Sequence, residues 1–92
     1  MRVVWTNLAT ADLEEISDYL FEQHPEMAVD TVRRIYQAAA ELKQFPSRGR
    51  PGRKQDTREL VLAPLPYLVI YEIVEQKVRV LRVLHGARRW PE

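Results

Sequence analysis

The chain has 92 residues, 46% hydrophobic and 29% charged, with no cysteine and a formal net charge of +1. This length fits one domain, 1–92, and the composition is too apolar for intrinsic disorder. Without cysteine, disulfides, thiolate zinc sites and cysteine nucleophiles are excluded.

The near-neutral sum conceals an asymmetry. Residues 1–45 carry 4 Lys+Arg against 8 Asp+Glu, and residues 46–92 carry 10 against 5. The basic second half suits phosphates, nucleic acid or an acidic protein segment, or else a solvated sheet face. The opening MRVVWTNLATADLEE turns polar and acidic too early for a signal peptide. The longest mainly apolar run, residues 60–71, is broken by Pro64 and Pro66 and is too short to span a bilayer. A cytoplasmic protein with no membrane contact is expected.

Met1 to Trp5 is a β-branched run ending in an aromatic, which suits a strand. Thr10 reads as an N-cap, with Asp12, Glu14 and Glu15 in the first turns at the positive end of the helix dipole. Leu13, Ile16 and Leu20 recur at helical spacing, so an amphipathic helix runs to about His24. Pro25 breaks that helix and suits the first turn of the next. In the second helix Ala28, Val32, Ile35, Tyr36, Ala39 and Leu42 form one face, and it ends before Phe45-Pro46. So short a connection makes the two helices an antiparallel hairpin. Ile16, Leu20, Val32 and Ile35 are assigned to the core, with no functional role.

SRGRPGRKQDT, residues 47–57, lacks periodicity and reads as a loop. Three β-rich runs follow: RELVLA from Arg58, PYLVIYEIV from Pro66 and KVRVLRVL from Lys77. Glu75-Gln76 makes a hairpin turn between the last two, without the usual Asn-Gly signal. The fold class is α+β, in the order β-α-α-β-β-β, with the helical hairpin on one face of a small, mainly antiparallel sheet.

That layout leaves apolar surface over. Tyr67, Val69, Tyr71 and Ile73 share one face of the central strand, and Leu68, Ile70 and Val74 lie on the other with Glu72. One hairpin covers one face. The other, rimmed with arginine, calls for a partner, the C-terminal tail or self-association.

The chemistry-bearing candidates are few. His24 and His85 have no ligand-spaced neighbours, so no metal site is expected. Glu14 and Asp18 read as a solvated face. Gly49 and Gly52 read as turn residues permitting positive φ, while Arg48, Arg50, Arg53 and Lys54 beside them can grip a phosphate backbone or an acidic peptide. Arg58, Arg82, His85, Arg88 and Arg89 complete the set. Strict alternation puts Arg82 with Val78, Val80 and Leu84, whereas a bulge near Leu81 puts it with Lys77 and Arg79. A histidine among arginines could support metal-free RNA cleavage, with the arginines stabilising the developing charge. It is equally a histidine bonded to backbone beside salt bridges. RVLHGARRWPE would then project from the sheet edge as a contact surface, with Gly86 turning the chain.

Trp5, ADLEEISDYL, FPSRGRPGR, TRELV, PYLVIYEI and VRVLRVLHGARRWP together resemble the RelE/ParE superfamily of toxins from type II toxin-antitoxin modules. The resemblance covers nearly the whole chain. It implies a growth-arresting toxin, of the kind linked to plasmid stabilization, held without cofactor in an oligomeric complex by a cognate antitoxin whose C-terminal segment wraps it. RelE-like members cleave mRNA on the ribosome. They commonly carry an arginine where Tyr67 stands here and an aromatic where Gly86 follows His85. These departures resemble the ParE branch, whose members inhibit DNA gyrase.

The expectation is therefore a gyrase inhibitor rather than an enzyme, with His85, Arg88, Arg89 and Trp90 as target contacts. Arg48, Arg50, Arg53, Lys54 and Arg79 become antitoxin or phosphate contacts. The alternatives are a metal-free endoribonuclease using Arg58, Arg82 and His85, with ribosome and mRNA as partners, or an inactive module that only binds antitoxin.

Overall fold

A computed structural model describes residues 1–86, 90 and 91. Strand β1 (Arg2–Trp5) leads into α1 (Asn7–Gln23) and α2 (Pro25–Ala40), then a 3-10 turn at Glu41–Lys43. Four strands follow: β2 (Arg50–Pro51), β3 (Arg58–Val61), β4 (Tyr67–Val74) and β5 (Lys77–His85). The sheet order is β1-β5-β4-β3-β2, with β1 parallel to β5 and the other pairs antiparallel. The expected fold class holds, with one added strand. Arg50-Pro51 pairs with Glu59 and Arg58 inside the stretch expected to be loop.

The first helix starts earlier than the acidic run suggests. Thr6, not Thr10, is the N-cap: its backbone is extended and its Oγ1 accepts from the Ala9 N–H. The same hydroxyl donates to the Leu81 carbonyl, and the Thr6 N–H donates to Val80. One residue thus ends β1, starts α1 and ties both to β5, which sequence-local capping rules cannot register. Pro25 opens α2 as expected. The helix closes at Ala40, with the 3-10 turn absorbing the residues before Phe45.

Helices and sheet meet on one face. Ala9, Ile35, Ala39 and Leu42 pack on Leu60, Tyr67, Val69, Tyr71, Val78, Val80 and Val83. The alanines admit close backbone approach, and each fully buried Ile or Val contributes about 1.5–3 kcal/mol of transfer free energy. Trp5 reaches over from β1 and stacks on Tyr36, rings 5.9 Å apart. On the opposite face Leu68, Ile70 and Leu84 are buried, with Leu81 and Trp90 against them. The tail therefore returns to the sheet at Trp90 instead of projecting from its edge. An apolar strip on β4 and β5 gives the indole a seat, and water gives it none.

β5 carries the bulge that alternation left open. Ile70 pairs with Arg82 and Tyr71 with Val80, so Leu81 is unmatched. Arg82 consequently shares a face with Arg79 and Lys77, which pair with Glu72 and Val74. Glu75 and Gln76, at φ 52° and 61°, make the β4–β5 turn. Left-handed backbone costs about 1–2 kcal/mol per residue here, and the long ladder that follows holds it in place.

Candidate partner-binding groove

Where β1 runs out, α1 takes over the edge of β5. The register of β1 ends at Trp5 opposite Val80. Beyond it the Val83 N–H, which would otherwise face an empty edge, donates to Asp12 Oδ2 at 3.0 Å. Arg82 completes the contact with a two-pronged bond, Nε to Oδ2 at 2.7 Å and Nη2 to Oδ1 at 2.9 Å. Asp12 and Arg82 are both buried, so the pair works in a low dielectric where each charge depends on the other. Asp12 went unassigned in the sequence, although it carried a signal. It falls at i−4 and i−8 from Ile16 and Leu20, a charge inside an apolar stripe.

The basic loop is held from beneath. Glu59, 1% exposed, accepts from Arg50 Nη2 at 3.1 Å and from the Arg53 N–H at 3.0 Å, with Arg53 Nε at 3.4 Å. Burial pushes the Glu59 carboxyl up, but the hydrogen bonds from Arg53 and Arg50 outweigh it and hold the group below the usual range. Tyr71 Oη donates to the Pro46 carbonyl at 2.6 Å and accepts from the Gly49 N–H at 2.9 Å. Arg58 Nη1 donates to the Gly49 carbonyl at 2.6 Å. Arg48 pairs with Glu41 and lies over the Phe45 ring, and Arg79 pairs with Glu72.

The loop glycines serve close approach rather than positive φ, which no glycine shows. A Cβ on Gly49 would stand 2.7 Å from Tyr71 Oη, and one on Gly52 would stand 2.2 Å from Thr57 Oγ1. Gly86 has room for a side chain and continues the ladder by donating to the Pro66 carbonyl.

The candidate residues therefore do not converge. Arg58 bonds the loop, Arg82 bonds α1, and His85 stands at the far end of β5 opposite Tyr67. The Tyr67–His85 and Arg58–Tyr71 pairs lie four positions apart along β4, roughly 13 Å at strand rise. Lys54 is exposed, Trp90 is half-buried, and Arg88 and Arg89 lie outside the described residues.

His85 instead opens onto a groove of about 620 Å³ between the helical hairpin and the end of the sheet. Ile16, Leu20 and Val83 floor it, so two residues assigned only to the core also shape a surface. Tyr19, Met27, Leu65, Pro66 and Tyr67 form the apolar walls, with Glu15, His24 and His85 at the polar positions. Each histidine meets a tyrosine edge-on, His85 with Tyr67 at 5.8 Å and His24 with Tyr19 at 6.2 Å. Burial, and to a lesser degree Tyr19, pushes the Tyr67 phenol above its ordinary value, so it stays a neutral hydroxyl at physiological pH. Among the described residues no cluster of His, Asp or Glu is arranged to hold a metal ion, and no helix is long and apolar enough to cross a membrane.

A two-helix hairpin on one side of a five-stranded mixed sheet, with an open apolar groove at the hairpin's end, defines a small α+β protein built to meet another protein. Residues 3–90 match the model of the ParE toxin of type II toxin-antitoxin systems, parDE. The chain belongs to that family. It is 42% identical over 91 residues to the putative toxin Y4kP of Sinorhizobium fredii, covering 99% of this chain and 94% of that one. It is 39% identical over 87 residues to toxin RelE2 of Caulobacter vibrioides, covering 95% and 97%. Among solved structures, a chain of the chromosomal ParDE system from P. aeruginosa superposes with a TM-score of 0.85 at 28% identity, covering 92% of this chain and 95% of that one.

Proposed function

We propose that this toxin arrests bacterial growth by inhibiting DNA gyrase, in the ParE manner, and that a cognate antitoxin neutralises it in an oligomeric complex. One observation carries the choice of mechanism. The cationic groups that RNA cleavage needs around the scissile phosphate are engaged elsewhere, Arg82 with buried Asp12 and Arg58 with the Gly49 carbonyl. Stabilising a pentavalent phosphate requires donors aimed at one point, and His85 stands apart from both. The family match and the ParDE likeness support the same reading.

A ribosome-dependent mRNA endoribonuclease is the second reading, favoured by the likeness to a relative named RelE2. In it Arg58, Arg82 and His85 would have to regroup on the ribosome.

Two assays on purified protein separate the readings. Loss of gyrase supercoiling, or trapped cleavage complexes, supports gyrase inhibition. Codon-positioned cuts in a translating extract with gyrase unaffected overturn it. Normal growth at high soluble expression removes the toxin reading itself.

A further inference from the structure

The ion pairs of this molecule are distributed unevenly. Asp30, Glu41, Glu59, Glu72, Glu75 and Asp12 each meet an arginine or lysine. Glu15, Asp18 and Glu22 are all exposed on α1 and, among the described residues, take part in no ion pair. At i, i+3 and i+7 they form one line along the helix. Glu15 lines the groove, so this line is the outer lip of its α1 wall. Immediately inside it stand Tyr19 and, across the hairpin, Met27, 56% and 51% exposed. An apolar trough thus runs beside uncompensated negative charge.

We infer that this groove docks an amphipathic helical segment of the antitoxin, with apolar anchors on the face that enters the trough and Lys or Arg on the flank that passes Glu15, Asp18 and Glu22. The partner's identity as an antitoxin rests on the toxin reading; the chemistry of the segment rests on the groove. The dimensions agree. α1 has 17 residues and is roughly 25 Å long, which matches a partner helix of about 15 residues. Anchors at i, i+3 or i+4, and i+7 meet such a trough at successive turns. Tyr19 and Met27 suit this role, because a broad ring and a flexible thioether adapt to different anchors. Three carboxylates a few ångströms from the docked flank favour a basic segment and repel an acidic one. His24 and His85, the other titratable groups of the trough, stand toward its polar ends and leave the acidic lip uncompensated at neutral pH.

The test uses two labelled, end-capped helical peptides of about 15 residues. Both carry leucines at the anchor spacing; one has lysines on the flank and the other glutamates. Titration into the full-length protein, followed by fluorescence anisotropy, is expected to show binding of the lysine peptide that weakens with added salt, and little binding of the glutamate peptide. Glu15→Lys/Glu22→Lys should weaken the lysine peptide about tenfold, the scale of two exposed pairs lost and reversed. Tyr19→Ala/Met27→Ala should abolish binding while circular dichroism stays native. Equal binding of both peptides, or binding indifferent to the Tyr19/Met27 change, overturns the inference. So does self-association in ultracentrifugation that the same change removes, which would assign the groove to a second copy. Growth arrest without peptide binding overturns this inference alone, and peptide binding without growth arrest overturns only the toxin reading.

Discussion

Asp12 and Arg82, 70 positions apart in sequence, form a buried two-pronged ion pair that closes the edge of β5 where β1 ends. Removing one partner strands the other charge in a low-dielectric site. Asp12→Ala should therefore destabilise the protein by about 3–5 kcal/mol, measured by urea unfolding, and should release the Val83 amide to hydrogen exchange. An apolar double replacement, Asp12→Leu/Arg82→Met, should recover much of the loss, because it removes both desolvation costs together.

Tyr71 binds the basic loop to the sheet through its hydroxyl, between the Pro46 carbonyl and the Gly49 N–H. Tyr71→Phe keeps the ring and deletes both bonds, leaving a buried N–H without its acceptor. A cost of about 1–3 kcal/mol is expected. The amides of the loop should exchange faster while those of β4 change little.

Glu59 gives the loop a pH dependence whose sign follows from its environment. Its carboxyl is held below the ordinary range in the folded state, so its contribution is fully present above the unfolded-state value of about 4.3. It is lost as pH falls through the folded value. Acidification below about pH 4 should weaken wild type more than Glu59→Gln, whose side chain does not titrate. Parallel melts of the two proteins from pH 7 to pH 3 provide the comparison; parallel slopes would show that Glu59 is not the clasp.

Trp90 covers Leu68, Ile70 and Leu84, and its Nε1–H is buried with no acceptor among the described residues. The indole contributes through packing alone. Trp90→Phe should stay within about 1 kcal/mol of wild type. Trp90→Ala should cost more and should raise binding of a hydrophobic dye to the exposed strip.

The chain was legible wherever neighbours in sequence make the structure. Pro25 at a helix start, the period of Ile35 and Ala39, the alternation of Tyr67, Val69 and Tyr71, and the Glu75-Gln76 turn all follow from local geometry, and together they fix the fold class. The motifs also carried the family. What local rules could not reach was decided by contacts across the sheet. Thr6 displaces Thr10 as the cap because β5 supplies a carbonyl for its hydroxyl. Two residues of the basic loop join the sheet because buried Glu59 and Tyr71 hold the loop against it.

Arg82 shows the division most plainly. Its alternatives could be written from the sequence, but the choice required the bulge at Leu81 and an aspartate on a helix 70 positions away. The groove is likewise a product of tertiary structure, since Tyr19, Met27, Tyr67 and His85 meet only when the hairpin lies on the sheet. Periodicity determines which side chains are buried, because it is a property of one element. A surface site between elements depends on their packing, which no single segment encodes.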